Sequence, residues 1–294
     1  MTTTSRLATG VLGLDEALGG GLLPGTLTVV VGSTGIGKTQ FGLQFARAGA
    51  GQEGRPGILF DMSSRGDSQN HAHYAMRMFD WSLQSAEPDE HMDLHGFFDA
   101  RRCYGDYLHV FDRAGRRVTR NDLDFDAWQQ WQADLTRRLN AAIAFFYGNF
   151  TRGVCRAVID GVEPVNRPGD SIQFELFEYI YHQILRKDPQ WVARDLFRQE
   201  YRRNAADIAE HVYDTNRIGC MLLATSHETT LDSLIERPLD DGDVLSNANT
   251  VIYLGKIREG IRFRRAMYVA KHRGSACTDE VLPYRIGDEG IRLE

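Results

Sequence analysis

The stretch that decides the fold lies near the amino terminus and reads Val29-Val30-Val31-Gly32-Ser33-Thr34-Gly35-Ile36-Gly37-Lys38-Thr39. It matches the phosphate-binding pattern G-x-x-x-x-G-K-[ST], with the fixed positions at Gly32, Gly37, Lys38 and Thr39. The glycines let successive backbone N–H groups point into one concavity, which suits the oxygens of a phosphate chain. The lysine of this pattern reaches the β- and γ-phosphates, and the hydroxyl residue helps to hold Mg²⁺. We therefore predict that residues 32–39 bind ATP with Mg²⁺ and that Lys38 also serves in catalysis.

The residues on either side of this loop provide the setting that the pattern requires. An apolar, β-branched run from Leu27 to Val31 precedes the loop and predicts a buried strand. Phe41, Leu43 and Phe45 follow it in a stretch that predicts a helix. A helix that begins near Lys38 directs the positive end of its dipole at a bound anion. This strand–loop–helix order favours nucleotide binding over a chance glycine-rich turn.

Length and composition are those of an ordinary folded protein. The 294 residues are 42% hydrophobic and 25% charged, and they suffice for one large domain or two modest ones. No apolar run approaches the ~18 residues of a membrane span, and residues 1–6 lack the apolar core of a signal peptide. We expect a cytoplasmic protein without membrane contact. The four cysteines include no C-x-x-C pair and indicate neither a zinc site nor a disulfide framework.

The residues that precede the loop resemble the opening of a known family. Their glycines and leucines recur with a characteristic spacing, in Thr9-Gly10, Gly13-Leu14-Asp15-Glu16, Leu18-Gly19-Gly20-Gly21-Leu22 and Gly25. Together with the loop, this arrangement resembles the KaiC-like branch of the RecA-type P-loop ATPases. The resemblance covers about residues 1–62, 153–161 and 218–294. It implies an α/β fold, in which a RecA-like, mostly parallel twisted sheet is flanked by helices.

A later strand supplies the acid that such a nucleotide site needs. Residues 154–160 form an apolar run that ends in Asp160, which we interpret as the second nucleotide motif. We predict that Asp160 holds Mg²⁺ through water and that Thr39 completes the metal site. Lys38 and Asp160 are 122 positions apart, which is longer than the family's usual spacing. We therefore predict a single domain over residues 1–294 with helical insertions at about 65–150 and 165–216.

The predicted insertions carry patterns with two interpretations each. One helical stripe favours core packing over the stacking of nucleic-acid bases, and it consists of Trp128, Trp131, Leu135, Leu139, Ala142 and Phe146. Four arginines alternate with acids, which favours a solvated helix face over an anion site, and they are Arg194, Arg198, Arg202 and Arg203. Four histidines lack a metal-binding pattern, which favours a solvated loop and helix, and they are His71, His73, His91 and His95.

One position departs from the family pattern in a way that affects catalysis. The strand at residues 57–62 ends, in KaiC-like and RecA proteins, in a glutamate that polarises the attacking water. Here Ser63 and Ser64 occupy the corresponding positions. Asp61 lies on the same strand face as Ser63 but about 6.5 Å deeper, too far to substitute. A carboxylate from elsewhere, such as Asp67, Glu163 or Glu228, is the alternative to slow or absent hydrolysis.

The end of the chain carries a further part of the resemblance. Residues 264–275 resemble the KaiC-like K-x-R-G element, in which a lysine and an arginine reach the neighbouring subunit's γ-phosphate. By position these are Lys271 and Arg273, one residue apart on a strand and so on the same face. The alternative is a basic strand with solvated side chains. Residues that act in trans imply a homo-oligomeric ring, and we predict a hexamer.

Three functions remain open from the sequence. The first two are a regulatory ATPase driven by hydrolysis and an ATP-gated assembly that docks a protein partner through the insertions. The third is nucleic-acid processing by a RecA- or DnaB-like ATPase. The net charge of −6 disfavours the third, and so does the acidic segment at residues 229–247, where recombinases contact DNA. At the end of another predicted strand, the resemblance implies that Ser226 or His227 senses the γ-phosphate, and a plain strand-end turn is the alternative.

Overall fold

The structure, a computed structural model, describes residues 5–63, 70–86, 94–110, 125–163, 172–237 and 244–294. The strands of this part of the chain are β1 (Leu27–Gly32), β2 (Ile58–Asp61), β3 (Tyr107–His109), β4 (Arg156–Val162), β5 (Gly219–Thr225), β6 (Thr250–Glu259), β7 (Arg262–His272), β8 (Leu282–Gly287) and β9 (Gly290–Leu293).

Helices of very different lengths connect these strands. They are α1 (Leu14–Ala17), α2 (Lys38–Gln52), α3 (His71–Phe79), α4 (Leu94–Phe98), α5 (Phe125–Thr151), α6 (Ile172–Ile180), α7 (Pro189–Phe197), α8 (Gln199–Arg203), α9 (Ala205–Ala209), α10 (Leu231–Ile235) and α11 (Val244–Asn247). A π-helical turn, Tyr181–Leu185, continues α6, and a 3-10 turn, Thr215–Arg217, precedes β5. Among the described residues, no helix is both long and apolar enough to cross a membrane.

The described strands form one mixed sheet in the order β3-β2-β4-β5-β1-β6-β7-β8-β9. The strands from β3 to β6 in this order are all parallel to their neighbours. The strands β7, β8 and β9 continue the sheet with antiparallel pairing. Crossover helices between parallel strands must pack on the faces of the sheet. The predicted α/β class with a mostly parallel sheet flanked by helices is therefore confirmed.

Alternate residues of the central strands face two different hydrophobic layers. In β1, Leu27, Val29 and Val31 pack on one side, whereas Val30 packs on the other. The first side is covered by α5, α6 and α7, and the second side by α1 and α2. Both faces of the parallel strands are buried, which explains why their sequences are continuously apolar instead of alternating.

Aromatic side chains from both predicted insertions meet on the first of these faces. Phe97 of α4 contacts Phe197 of α7 with ring centroids 5.1 Å apart. The ring centroids of Tyr147 of α5 and Tyr213 are 5.8 Å apart, and those of Phe150 and Tyr213 are 5.2 Å apart. Edge-to-face and tilted pairs at these distances are favourable arrangements. We call this set, Phe97, Tyr147, Phe150, Phe197 and Tyr213, the aromatic layer.

The structure tests several expectations for the inserted segments. The helix expected over residues 125–146 is present as α5, and Ala142 and Phe146 are buried in the core. The side chains of Trp128, Trp131 and Leu135 lie outside the described set, as do residues 111–124. The arginines expected on a solvated face are exposed at Arg194, Arg198, Arg202 and Arg203. The expectation of a solvated His71 is wrong, because its side chain is fully buried.

A buried ion pair fastens the carboxyl end of α2 to the start of β4. The Arg156 side chain has no solvent exposure, and its Nε and Nη2 donate to Glu53 Oε2 and Oε1 at 2.7 and 2.9 Å. Its Nη1 also donates to the carbonyl oxygens of Ala8 and Phe45. A guanidinium with this many partners is compensated despite its burial. This contact ties the amino-terminal segment, α2 and β4 together beneath the candidate site.

Candidate functional site

The phosphate-binding loop joins the end of β1 to the start of α2. Lys38 is the first residue of α2, and its Nζ donates to the carbonyl oxygens of Gly32 and Ser33 at 2.9 and 3.0 Å. Burial lowers the pKa of Lys38 to about 8, against the opposing charge of Asp160. Gly35 and Gly37 have φ angles of 76° and 115°, which residues with a Cβ rarely adopt. The loop therefore curls around a buried ammonium group that is paired with backbone carbonyls.

The carboxyl-terminal hairpin supports this loop from behind. Tyr284 of β8 donates its hydroxyl hydrogen to the carbonyl oxygen of Ile36 at 2.6 Å. A Cβ on Gly37 would lie 2.8 Å from Ile286 Cδ1, so hairpin and loop pack closely. Gln44 of α2 also joins the hairpin, because its side chain bonds both the backbone N–H and the carbonyl of Ile291. The sequence did not single out Tyr284 or Gln44, since neither belongs to a local motif.

The two residues expected to hold Mg²⁺ are in contact. Thr39 Oγ1 donates to Asp160 Oδ2 at 2.9 Å, although 121 positions separate them. Asp160 Oδ1 accepts the N–H of Gly161 at 2.7 Å, and the register of β4 shifts between Ile159 and Val162. Bulges of this kind re-aim a side chain at the end of a strand. Gly161 has a φ of 93°, and the Asp-Gly dipeptide is the sequence signal that could have indicated the bulge.

These residues fit a magnesium–nucleotide complex on chemical grounds. A hydroxyl and a carboxylate are the oxygen ligands, or partners of ligand waters, that Mg²⁺ prefers. Gly32 permits the close packing that the loop needs, because a Cβ there would lie 2.5 Å from the carbonyl oxygen of Leu254. Lys38 supplies a compact positive charge next to the loop's backbone N–H groups. The cation, the hydroxyl and the carboxylate lie in one buried corner, where a triphosphate and its metal require them.

A histidine that the sequence placed in a solvated segment joins this corner. His71 Nε2 lies 3.0 Å from Asp160 Oδ2, and Nδ1 lies 3.4 Å from Asp61 Oδ2. Burial favours a lower pKa for His71, but its hydrogen bond to Asp160 and the charges of both carboxylates outweigh burial and raise the pKa. Burial likewise acts to raise the pKa of Asp160, and the contacts with His71 and Thr39 reverse this and lower it. No sequence motif indicated that His71 belongs to the site, because its partners come from two strands, one of which is distant in the sequence.

Asp61 is fully engaged in other contacts. Its Oδ2 accepts the Tyr107 hydroxyl at 2.7 Å, and its Oδ1 accepts the backbone N–H of Ser63 at 2.8 Å. Burial, the nearby charge of Asp61 and the hydrogen bond to Asp61 together raise the pKa of Tyr107. These contacts fix the end of β2 against β3. They hold the Asp61 carboxylate between the Tyr107 hydroxyl and the backbone of Ser63.

The alternatives for a catalytic carboxylate differ in their surroundings. Ser63 is buried, and its carbonyl oxygen lies 3.0 Å from His109 Nε2. Glu228 follows β5, where it accepts the Ser226 hydroxyl and lies 3.9 Å from Arg237. The hydrogen bond from Ser226 is the main cause that lowers the pKa of Glu228. Asp67 and Ser64 lie outside the described residues.

The end of β5 is adjacent to the loop. Ser226 is buried, and its backbone N–H donates to the carbonyl oxygen of Gly32 at 3.0 Å. His227 is exposed instead. Of the two residues considered as sensors of the γ-phosphate, Ser226 is therefore the one that contacts the loop backbone.

Lys271 and Arg273 lie two strands away from the loop of their own chain and are displaced toward the amino-terminal end of β1. Lys271 is near the end of β7 and pairs with Val251, which pairs with Val29. Val29 is three residues before Gly32, which is about 10 Å along a strand. Lys271 Nζ donates to the carbonyl oxygens of residues 245 and 246 at 3.1 and 2.8 Å. Arg273 follows the last residue of β7 and is exposed.

Comparisons with known proteins agree with this geometry. A family model described as an ATPase, KaiC, matches residues 7–105. The chain is 40% identical over 87 residues to the circadian clock protein KaiC2 of Synechocystis, which covers 29% of the chain and 14% of that protein. It is 25% identical over 291 residues to the circadian clock oscillator protein KaiC of Parasynechococcus marenigrum, covering 98% of the chain and 44% of that protein. The chain thus spans less than half the length of these relatives.

A solved structure shares the fold over nearly the whole chain. The crystal structure of a KaiC-like protein from the archaeon Pyrococcus horikoshii superimposes with a TM-score of 0.51 and 19% sequence identity. The superposition covers 98% of each chain. The loop, the sheet order and the matched amino-terminal segment lead to the same conclusion. Residues 7–105 resemble the KaiC ATPases, and the chain shares the fold of a KaiC-like protein over nearly its whole length.

Proposed function

We propose that this protein binds ATP with Mg²⁺ at residues 32–39 and Asp160, and that the nucleotide controls assembly of a homo-oligomer with little hydrolysis. The observation that carries the proposal is the contact between Thr39 and Asp160, which unites the two nucleotide motifs beside Lys38. When bound, Mg²⁺ would neutralise charge on the phosphates. Backbone N–H groups of Gly32, Ser33, Thr34, Gly35, Ile36 and Gly37 would surround the phosphate oxygens, with Lys38 as their cation.

The low turnover in this proposal follows from the end of β2. Ser63 stands where the family places a glutamate, and its backbone is held by Asp61 and His109. A hydroxyl cannot take a proton from water as a carboxylate can. The site therefore binds and orients the nucleotide better than it activates water. This favours a nucleotide-gated assembly over a regulatory ATPase with rapid cycles.

The proposal also includes the domain organisation and the assembly. One domain over residues 1–294, with insertions at about 65–150 and 165–216, is supported by the single sheet that runs from β3 to β9. The position of Lys271 and Arg273, away from their own loop, supports a ring in which they reach the next subunit, and we propose a hexamer. A protein partner would dock on the inserted segments. The net charge of −6 supports a role without nucleic acid.

The test is an ATP binding and turnover assay on the purified chain. Lys38→Ala should weaken ATP binding by about 10- to 100-fold, because a hydrogen bond to a charged group is worth about 1.5–3 kcal/mol. Ser63→Glu should raise turnover by about 10²-fold, the lower end of what a positioned general base contributes. Ser63→Gln, of equal size but without a carboxylate, is the matched control and should not raise it.

Three outcomes would contradict the proposal in different ways. Rapid turnover by the wild-type protein would refute the view that the water-activating group is missing. Absence of ATP binding by the wild-type protein would refute the nucleotide site itself. A gain with Ser63→Gln as large as with Ser63→Glu would show that the size of the side chain, and not its charge, limits the reaction.

A further inference from the structure

Two buried carboxylates lie side by side at the edge of the sheet that carries the site. Asp61 of β2 and Asp160 of β4 are partners in the strand register, and each residue is 2% exposed. Neighbouring strands are about 4.8 Å apart. Two ionised carboxylates at such spacing repel each other strongly where little water screens them. The imidazole of His71 lies beside both carboxylates.

The imidazole of His71 is hydrogen-bonded to Asp160 and lies close to Asp61 without a hydrogen bond to it. Its Nε2 lies 3.0 Å from Asp160 Oδ2, and its Nδ1 lies 3.4 Å from Asp61 Oδ2. An ionised carboxylate only accepts hydrogen bonds, so Nε2 donates to Asp160. His71 is also the first residue of α3, and the Asn70 side chain caps that helix by accepting the N–H of His73. The imidazole is thus carried by a capped helix end and not by an unsupported loop.

This contact completes a set of three donors around Asp160. Its Oδ2 accepts hydrogen bonds from Thr39 and His71, and its Oδ1 accepts the N–H of Gly161. Three donors from three elements fix the orientation of the carboxylate. Because Thr39 gives its hydroxyl hydrogen to Asp160, the lone pairs of its oxygen remain for another partner. The arrangement leaves a hydroxyl oxygen ready to bind a cation next to an oriented carboxylate.

We propose that His71 is a positioning residue for the magnesium site, which holds Asp160 in the orientation in which Asp160 and Thr39 bind the metal of Mg–ATP. His71 acts through Asp160 and not on the attacking water, since both of its ring nitrogens face carboxylates. The inference rests on the proposed function, because it assigns a role within the same site. Groups behind metal-site residues typically contribute 10- to 100-fold to metal affinity.

The same network connects the site to the first predicted insertion. The Tyr107 hydroxyl donates to Asp61 Oδ2 at 2.7 Å, and its ring centroid lies 5.5 Å from that of His71. Tyr107 belongs to β3 and His71 to α3, and both elements lie between the two nucleotide motifs of the sequence. The first predicted insertion therefore contributes residues to the magnesium site in addition to packing on the sheet.

The test measures how strongly Mg²⁺ improves nucleotide binding. A fluorescent ATP analogue is titrated into the full chain, once with EDTA and once with saturating Mg²⁺, and the ratio of the two dissociation constants is the magnesium gain. His71→Ala should lower this gain about 10- to 100-fold and leave the EDTA value unchanged. His73→Ala is the matched control, because His73 is exposed on the same helix and should keep the full gain.

Two further variants separate positioning from a merely structural role. His71→Leu fills the space of the imidazole without supplying a donor, and it should lower the magnesium gain as His71→Ala does. It provides the measurement if the alanine variant does not fold. His71→Gln places an amide N–H near the position of Nε2 and should recover part of the gain. A folded His71→Ala or His71→Leu variant with an unchanged gain, whatever its melting temperature, would overturn the inference alone. A wild-type protein without any magnesium gain would overturn the proposed function together with it.

Discussion

Gly161 decides the local shape of the site through the absence of a side chain. Its φ is 93°, and a Cβ on this residue would lie 2.2 Å from the backbone nitrogen of Ser63. Real Cβ atoms do not approach backbone atoms so closely, so β2 and β4 would have to separate. That separation would move Asp160, which shares the bulge with Gly161. The position thus requires glycine for its conformation and for its surroundings.

A residue with a Cβ that is held in the left-handed backbone region costs about 1–3 kcal/mol. We expect Gly161→Ala to lower the free energy of unfolding by more than this amount. Gly153→Ala is the matched control, because Gly153 has a similar φ of 88° and no atom lies within 4 Å of its Cβ position. Gly153→Ala should lower the free energy of unfolding by no more than the cost of the left-handed backbone conformation. Urea denaturation of both variants measures the difference in unfolding free energy. Equal losses would show that the contact with β2 is not a constraint.

At the scale of single residues, the sequence predicts the positions of the motif residues but not the residues that contact and orient them. Lys38, Thr39 and Asp160 could be predicted because each belongs to a local pattern with a known chemical role. His71 could not, because its burial depends on two strand ends that meet it only in the folded chain. Its polar neighbours in sequence indicate a solvated segment, and the need to separate two carboxylates overrides that indication.

Among the elements, α2 and β4 depend on each other through Arg156 and Glu53. We expect Glu53→Ala to destabilise the protein by about 3–5 kcal/mol, because it leaves a buried guanidinium without its carboxylate. Chemical denaturation followed by circular dichroism measures the loss. Its cause is the desolvated charge of Arg156, whose remaining partners are neutral oxygens of Ala8, Phe45 and Gln52.

An exposed ion pair provides the control for this prediction. Arg203 and Glu200 lie three positions apart with Nη1 and Oε1 separated by 3.4 Å, and both side chains are exposed. Glu200→Ala should change stability by less than about 1 kcal/mol, as is usual for surface pairs. A loss for Glu53→Ala no larger than that for Glu200→Ala would mean that Arg156 finds compensation elsewhere.

The order of elements could be predicted better than their contacts. The apolar runs predicted β1, β2, β4, β5 and β6, because strands buried on both faces are continuously hydrophobic. The support of the phosphate-binding loop by β8 and β9 could not be predicted, since Tyr284 and Ile36 are 248 positions apart. The residues around the four exposed arginines form three short helices and a 3-10 turn, and the sequence does not predict where these breaks fall.

For the whole molecule, the proposed ring makes a prediction about assembly. We expect gel filtration to show a larger species with ATP than without it, and Lys271→Ala to reduce that difference. The reason is that Lys271 and Arg273 lie about 10 Å along the strands from the level of Gly32, so the residues suit a neighbour's phosphates better than their own.

The control for the ring is a lysine on the neighbouring strand. Lys256→Ala removes an exposed positive charge from β6, so it should leave ATP-dependent assembly unchanged. Lys271 also bonds two carbonyl oxygens near α11, so the melting temperature of each variant must be measured beside its assembly. A monomer with and without ATP, or wild-type assembly by Lys271→Ala, would refute the role in trans.

At this largest scale, the sequence predicts the sheet and the nucleotide motifs but not how the inserted segments pack. Their helical periodicity gave α5 its correct type, yet periodicity does not show which distant face a helix covers. The aromatic layer arises from pairs such as Phe97 with Phe197 and Tyr147 with Tyr213, in which the two members come from different predicted insertions. Such pairs become visible only when the chain is folded.

The packing of the aromatic layer has a consequence for the solubility of a shortened chain. Leu27, Val29 and Val31 of β1 are buried on the face that α5, α6 and α7 cover. A chain without these segments would expose that apolar face to water. The two segments and the apolar residues beneath them therefore depend on each other. Grafting only one of the segments onto a shorter relative should yield a protein that aggregates.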